Sequence, residues 1–499
     1  MICLRTALKE SALLCPWVKL AELRAATIGR WLSNGTVSGL WNNRFISTAA
    51  NTRLNRLFSS LLILGVAVLF ILLTFAGTGL IGVTTWALFF GVLFAWVRLK
   101  PVLQNHLTSV DLIVGAFLLS AIVSTAFSSF LFSSLAGLAK MLTFIAGYIV
   151  FRTVSEKGSR TMLALLGFIA LLGFGEACIG FYQHANHVQA LATWSDQSVN
   201  PELQMDRVFG TLKPSNPNLL AGFLTPCFAA AAGMALIYGR AKTWILSGMW
   251  LGMAACILLT LIWTGSRGGL LAIGSMMLCF FILLGHLVWH ESSLKHFRWM
   301  KTAWLLFLVL SVLAVGGGIA SSEKLRARAA SIFAMREDSS ISYRLNVYNS
   351  ALHMAQDNPI VGIGPGNSTF KKVYGLYMVP GFNALGAYSV PLEITVEQGL
   401  VGLAIFLSLM LVLMLRTLLA LDEPGLSLTE KLLACALLTG IIGSFMYNIF
   451  DTIWYRPPVN LLFWFMVASL AWITEVRRER LLDNDACDSA LRLKASRHG

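Results

Sequence analysis

The sequence is dominated by apolar segments long enough to span a lipid bilayer. A transmembrane helix needs about 20 predominantly apolar residues, and the chain contains twelve candidates. It is 57% hydrophobic and only 12% charged, whereas soluble domains carry about 25% charged residues. We therefore predict an all-α polytopic membrane protein with about 12 transmembrane helices. The candidates lie near residues 57–76, 80–97, 111–128, 133–151, 162–183, 218–238, 243–263, 268–288, 302–320, 392–415, 431–450 and 458–475.

Lysine and arginine in the short connections predict the orientation of these helices. Basic clusters follow residue 97, residue 151, residue 238, residue 288, residue 415 and residue 475, and all of them fall on one side of the predicted bundle. The positive-inside rule assigns that side to the cytoplasm. The prediction is a multi-pass protein of the inner (plasma) membrane with both termini cytoplasmic. Residues 1–56 would form a basic N-terminal arm, 57–475 the membrane domain and 476–499 the C-terminal tail.

The net charge of +14 could suggest nucleic acid, but the chain contains no nucleic-acid-binding motif. In a membrane protein such an excess favours contact with anionic lipid, so membrane lipid is a predicted partner and nucleic acid is not. The sequence also contains no motif for a cofactor. His184 and His187 have helical spacing, but two ligands do not define a metal site, and no metal is predicted.

The predicted topology leaves two long connections on the outer face, 184–217 and 321–391. The second, a large extracytoplasmic loop predicted to contain short helices, has seven lysines and arginines against four acidic residues. This charge runs against the positive-inside trend. One interpretation is an anionic ligand; the alternative is a solvated loop whose length exempts it from the rule.

Within this loop, residues 342–356 have the apolar spacing of an amphipathic helix, which would carry Arg344 in its first turn. A guanidinium group presents a planar set of donors suited to carboxylate, bicarbonate or phosphate. Pairing of Arg344 with a nearby acid or a lipid phosphate is the alternative that this spacing leaves open.

A glycine-rich turn follows the predicted helix. Gly362, Gly364 and Gly366 precede Asn367, and glycine allows successive backbone N–H groups to converge on an anion. The flanking sequence lacks the strand–turn–helix context and the full spacing of a dinucleotide-binding motif. The alternative to an anion site is a tight turn that returns the chain to the membrane.

Other ionisable residues lie at the predicted span ends or at membrane depth, where such groups are candidates for function. Asp451 and Arg456 could instead simply pair, and a structural pair between Lys140 and Glu176 is also possible. The candidates are Arg207, Arg267, Asp451 and Arg456 at span ends, and Lys140, Glu176, Glu393 and Glu397 within spans.

Several of these residues lie in motifs that resemble the O-antigen ligase and Wzy polymerase superfamily. The motifs are NPNLLA (216–221), SRGG (266–269), NPxxGxGPGN (358–367) and LEI…E…GLxG (392–402). The chain also resembles the cyanobacterial IctB branch of that superfamily, a family of bicarbonate transporters. That closer likeness rests on REDSS (336–340), RLNV (344–347), LGAYSVPLE (385–393) and FDTIWYRP (450–457).

The resemblance implies a multi-span fold whose large outer loop binds a polyprenyl-pyrophosphate glycan through arginines. By motif position these would be Arg207, Arg267 and Arg344. Ligases also use a histidine after the glycine turn, and the alignment places Tyr388 where that histidine would be. A phenol with a pKa near 10 is a poor general base at neutral pH. Glycan transfer would therefore need another base, for which Glu393 and Glu397 are weak candidates.

Three functional hypotheses follow, the third being a non-catalytic protein that binds a polyprenyl or phospholipid head group. The first, implied by the IctB resemblance, is transport or accumulation of inorganic carbon through an anion site that binds bicarbonate. The second is glycan transfer from a lipid-linked pyrophosphate donor. The sequence leaves open whether the protein is an enzyme.

Overall fold

The computed structural model describes residues 50–99, 107–188, 206–290 and 339–477, together with the single residues 309, 313 and 317. In the described ranges all regular elements are helical, and thirteen are α-helices of eight residues or more. They are α1 (Ala50–Phe75), α2 (Thr78–Leu99), α3 (Ser109–Ala126), α4 (Leu131–Ser155), α5 (Ser159–Ala185), α6 (Pro217–Arg240), α7 (Trp244–Trp263), α8 (Arg267–His290), α9 (Ser339–Asp357), α10 (Asn367–Tyr374), α11 (Val390–Leu421), α12 (Leu428–Asn448) and α13 (Pro457–Ala471).

Eleven of the helices in the described part of the chain are long and apolar enough to cross a membrane, namely α1–α8 and α11–α13, the last extended to Arg477. They coincide with eleven of the twelve predicted spans, which confirms an all-α polytopic membrane protein. The remaining predicted span, 302–320, falls almost wholly outside the described residues. So do most of the basic arm, the first part of the large loop and the tail from residue 478.

Helices α6, α12 and α13 form the centre of the bundle. The most apolar stretch of α13 is 100% buried and that of α6 is 89% buried, whereas only 22% is buried in α2 and in α7. Apolar side chains that α2 and α7 leave exposed can face lipid, which solvates them as well as a protein core does. The bundle is therefore organised around α6 and α13, with α2 and α7 at its periphery.

Ion pairs connect the helices at the end of the bundle predicted to be cytoplasmic. Arg416 near the end of α11 lies 3.3 Å from the carboxylate of Glu475, and both side chains are at least 95% buried. Arg477 lies 3.1 Å from Glu430, whose carboxylate also completes a capping box at the start of α12. These contacts join α11, α12 and the end of α13. The long loops lie at the opposite end of the bundle, where α11 begins and α12 ends.

Helix α11 is interrupted by a glycine in its outer half. Gly399 has φ = 70° and ψ = −174°, a conformation open to glycine but not to residues with a Cβ. The kink leaves backbone groups without helical partners at membrane depth, where each must be satisfied by protein. Residues 359–366 supply those partners. The bonds run from Ile363 N to Val396 O (2.9 Å), from Gly364 N to Glu397 O (3.0 Å) and from Leu400 N to Pro359 O (2.7 Å).

Candidate anion-binding site

The segment that carries Arg207 is held against α5. The side-chain oxygen of Gln183 accepts the N–H groups of Phe209 and Gly210, each at 2.9 Å, and Glu176 accepts the N–H and the hydroxyl of Thr211. Glu176 therefore fixes this loop, and the structural pair with Lys140, an alternative left open by the sequence, is not formed. Two polar groups on a membrane helix thus determine where Arg207 lies.

The guanidinium group of Arg207 is directed toward the turn between α7 and α8. Its Nε donates to the carbonyl oxygen of Thr264 at 2.7 Å, and its Nη2 donates to Oδ1 of Asn218 at 2.6 Å. The hydroxyl of Tyr447 in turn donates to the carbonyl oxygen of Asn218 at 2.9 Å. The α7–α8 turn and α6 therefore hold the Arg207 side chain directly, and α12 holds the residue on α6 that it bonds to.

Asp451 lies between Arg207 and Arg344. Its Oδ2 accepts from Nδ2 of Asn218 at 3.2 Å and lies 3.6 Å from Nη2 of Arg344. Nη1 of Arg344 donates to the carbonyl oxygen of Phe450 at 2.8 Å. Asp451 thus pairs with Arg344 on α9 and not with Arg456, which corrects the alternative considered from the sequence.

Arg267, the first residue of α8, completes an arginine cluster with Arg207, Arg344 and Asp451. Burial lowers the pKa of Arg207 to about 10; Tyr447 and Asp451 oppose this shift, while the like charges of Arg267 and Arg344 add to it. Arg207 is still protonated at neutral pH. Among the described residues, Arg267 and Arg344 from two further segments thus lie within electrostatic reach of Arg207, and all three arginine residues are only partly buried.

Tyr388 lies beside this cluster. Its ring centroid is 5.9 Å from Cζ of Arg344, and Tyr388 has φ = 51°, an uncommon conformation for a residue with a side chain. Burial, with a smaller effect of Tyr343, raises the pKa of Tyr388 above its ordinary value. The phenol is therefore neutral at physiological pH, where it can donate a hydrogen bond but cannot act as a base.

The glycine turn faces Glu397. The N–H of Gly366 donates to Oε1 of this carboxylate at 2.7 Å, the N–H of Gly364 bonds to its main-chain oxygen, and Nδ2 of Asn367 donates to the carbonyl oxygen of Leu385 at 2.6 Å. These donors are engaged within the chain. The predicted role of Gly364, Gly366 and Asn367 as anion donors alongside the arginines would therefore require these bonds to be replaced.

A second polar group lies deeper, between α4 and α11. Lys140 and Glu397 line a cavity of about 40 Å³ together with Tyr455, whose hydroxyl donates to Oε2 of Glu397 at 3.1 Å. A cavity of this size can hold a few water molecules at most. Lys140 is therefore close to Glu397 and Tyr455, a location that its position in the sequence did not predict.

Glu393 is fully buried in the first turns of α11. Its Oε2 accepts the N–H of Ala387 at 2.8 Å, whereas its Oε1 has no hydrogen-bond partner among the described residues. Gly386 packs over the carboxylate so closely that a Cβ would approach within 2.6 Å. Glu393 thus anchors the residues that precede α11, including the one before Tyr388.

The sequence did not single out Asn218 and Tyr447, although both help to hold the cluster. Asn218 lies within the NPNLLA motif, and that motif could have marked it, since an asparagine at the start of a span commonly bonds to backbone or side chains there. Tyr447 lies inside an apolar helix and no pattern distinguishes it from a packing residue.

Comparison with known families supports part of the resemblance. Residues 252–407 match a family described as O-antigen ligase, a region that contains Arg267, Arg344, the glycine turn and the first part of α11 with its kink. No curated protein matches the chain. The matched region and the eleven candidate spans together support an O-antigen ligase-related multi-pass membrane protein.

Proposed function

We propose that the arginine cluster binds the diphosphate group of a lipid-linked glycan and that the protein transfers this glycan at the outer face of the membrane. The observation that supports the proposal is that Arg267 and Arg344 both lie within electrostatic reach of Arg207 and that Arg344 pairs with Asp451. Three guanidinium groups match the several acceptor oxygens and the negative charge of a diphosphate. The side chains come from both outer loops and a helix start, so folding assembles the site.

The chemistry of glycan transfer suits this location. The acceptor hydroxyl oxygen forms a bond to the anomeric carbon of the sugar, the bond from that carbon to the diphosphate oxygen breaks, and the acceptor proton passes to water or to the departing diphosphate. Negative charge accumulates on the departing diphosphate, and fixed cations next to it lower the barrier. The arginines would supply this stabilisation. Glu393 and Glu397 are buried and bonded to backbone N–H groups, so their role in the proposal is to hold the loop.

Bicarbonate is the second candidate ligand, because its planar carboxylate also fits a guanidinium group. The observation that favours it is Lys140, a cation that lines a mostly apolar cavity together with Glu397. In this version the protein would accumulate inorganic carbon and would not form a glycosidic bond. The ligands differ in charge and in lipid attachment, so one set of measurements can distinguish them.

The first test measures binding of a polyprenyl diphosphate to the full-length protein in nanodiscs of zwitterionic lipid. Loss of a hydrogen bond to a charged group costs about 1.5–3 kcal/mol, so Arg344→Ala should weaken binding by roughly tenfold to a hundredfold. The control is Arg160→Ala, which removes an exposed arginine from the opposite end of the bundle and should leave the affinity unchanged. Equal affinities of wild type and Arg344→Ala would refute the proposal that the arginine cluster is the binding site.

The second test measures the reaction. Liposomes containing the protein are assayed for glycan transfer from a polyprenyl-diphosphate donor and, separately, for uptake of labelled bicarbonate. Transfer that Arg344→Ala abolishes supports the glycan proposal. Bicarbonate uptake without glycan transfer would refute the glycan proposal and support the bicarbonate alternative. If neither activity were observed, both proposed functions would be refuted.

A further inference from the structure

The loop between α10 and α11 presents large apolar side chains at its surface, outside the candidate spans. We name residues 375–381 the interfacial loop; its sequence is Gly-Leu-Tyr-Met-Val-Pro-Gly. Leu376 is 81% exposed, Val379 is 42% exposed and Met378 is 36% exposed. Apolar side chains grouped in this way on a surface that faced only water would be unfavourable, and such groups commonly mark contact with a membrane or a partner.

The contacts of α10 fix the depth of this loop relative to the bundle. Nζ of Lys372 donates to the hydroxyl of Ser133 at 2.7 Å and lies 5.3 Å from the ring centroid of Phe130. Ser133 is in the first turn of α4, one of the candidate spans. Helix α10 therefore lies at the level where α4 enters the membrane, and the interfacial loop follows it directly.

The surroundings have the composition of a membrane interface. Phe132, next to the Lys372 contact, is 87% exposed, and phenylalanine is among the apolar residues that interfacial segments bury at the edge of the hydrocarbon. Lys371 and Lys372 in the last turn of α10 are both exposed residues. Lysines above an apolar surface are the arrangement by which interfacial segments bind anionic lipid.

We infer that the interfacial loop inserts Leu376, Met378 and Val379 into the lipid leaflet on the side of the arginine cluster, with Lys371 and Lys372 at the phosphates of anionic phospholipids. The loop connects α10 to the residues that carry Tyr388, so the leaflet would support one flank of the site. This inference concerns bulk lipid and holds whether or not the arginine cluster binds a diphosphate.

Depth of insertion provides the direct test. An environment-sensitive fluorescent amino acid is incorporated at Met378 of the full-length protein in nanodiscs, and its quenching by brominated phospholipids is measured. Leu251, an exposed residue on α7, serves as the lipid-facing reference, and Gln356, an exposed residue at the end of α9, as the reference outside the spans. Quenching at 378 should approach that at 251. Quenching no greater than at 356 would overturn the inference.

Lipid charge tests the lysines separately. In wild-type protein, quenching at 378 should be greater in nanodiscs with anionic lipid than in purely zwitterionic ones. Each lysine should contribute roughly fivefold to the preference for anionic lipid, so the double variant Lys371→Gln/Lys372→Gln should abolish it. Lys242→Gln, at the other end of the bundle, should not. A preference that survives the double variant would show that the lysines do not bind the lipid.

Discussion

The side chains of the arginine cluster are held by bonds that depend on guanidinium shape as well as charge. Arg207 donates from Nε to the α7–α8 turn and from Nη2 to α6, whereas a lysine has only one nitrogen with which to donate. Asp451 offsets part of the positive charge and bonds to Asn218 and Arg344. The cluster therefore has a defined geometry before any ligand binds, which lowers the entropy lost on binding.

Tyr388 offers a test of the electrostatics at this scale. Tyr388→His should introduce an imidazole that titrates near pH 6.5, and histidine is among the residues that tolerate a positive φ. Below that pH its charge adds to that of Arg344 and should tighten diphosphate binding by roughly twofold to fivefold relative to wild type. As the pH rises through about 7 the gain should disappear.

The measurement is the ratio of variant to wild-type affinity between about pH 6 and pH 9, which cancels the ionisation of the ligand itself. Tyr388→Phe is the control. Because the pKa of Tyr388 is raised above 10, the phenol is neutral over the whole range and the ratio for this variant should not change with pH. The same pH dependence in both variants would contradict a charge effect at this position.

At the level of elements, the decisive feature is the break in α11. A straight helix would satisfy its own backbone, and residues 359–366 would then have no membrane-depth groups to bond. The kink leaves the carbonyl oxygens of Val396 and Glu397 without helical partners, and N–H groups of the glycine turn donate to them. The turn thus fixes the outer half of α11, which in turn holds Glu393 and the residues leading to Tyr388.

Gly399→Ala should disrupt this arrangement. The backbone of the kink would hold alanine at a positive φ, which costs about 1–3 kcal/mol. The added Cβ would also collide with the carbonyl oxygen of Ile360. We expect a lower unfolding temperature and weaker diphosphate binding, measured on purified protein in one detergent.

The matched control for this substitution is Gly252→Ala on α7. A Cβ at Gly252 meets no atom within 4 Å, and alanine is the better helix former by up to about 1 kcal/mol. Gly252→Ala should therefore unfold at the wild-type temperature or slightly above. Equal stability of the Gly399→Ala variant and wild type would show that the kink does not require glycine.

At the scale of the whole molecule, the two ends of the bundle have different chemistry. One end contains the ion pairs Arg416–Glu475 and Arg477–Glu430, and the other contains the arginine cluster, α9 and α10. The positive-inside rule assigns the first end to the cytoplasm. The proposed substrate must be presented on the other side, so the proposal depends on this orientation.

Orientation can be measured with single added cysteines in intact cells. A membrane-impermeant maleimide should label cysteines placed at Lys213 and Gln356, which precede α6 and end α9, and should leave those at Lys157 and Lys242 unlabelled until the cells are permeabilised. Labelling is compared with protein that has only its native cysteines. The reverse pattern would place the arginine cluster in the cytoplasm and refute an outer-face site.

By itself the sequence determined the number and position of the described spans, the helix that carries Arg344, and the predicted separation of basic connections from the outer loops. These features are local, since length, hydropathy and helical spacing act over about 20 residues. The same local information marked Arg207, Arg267 and Arg344 as candidates, although their role as a binding site remains a proposal.

Only the tertiary structure decided which groups meet. Asp451 pairs with Arg344 and not with its near neighbour Arg456, Glu176 bonds to Thr211 and not to Lys140, and the glycine donors are taken by Glu397. Each partner is far away in sequence and is brought close by the packing of separate spans. Buried polar groups in a bundle bond to whichever partner the packing of the helices brings close. The spacing of residues along the sequence does not specify that partner.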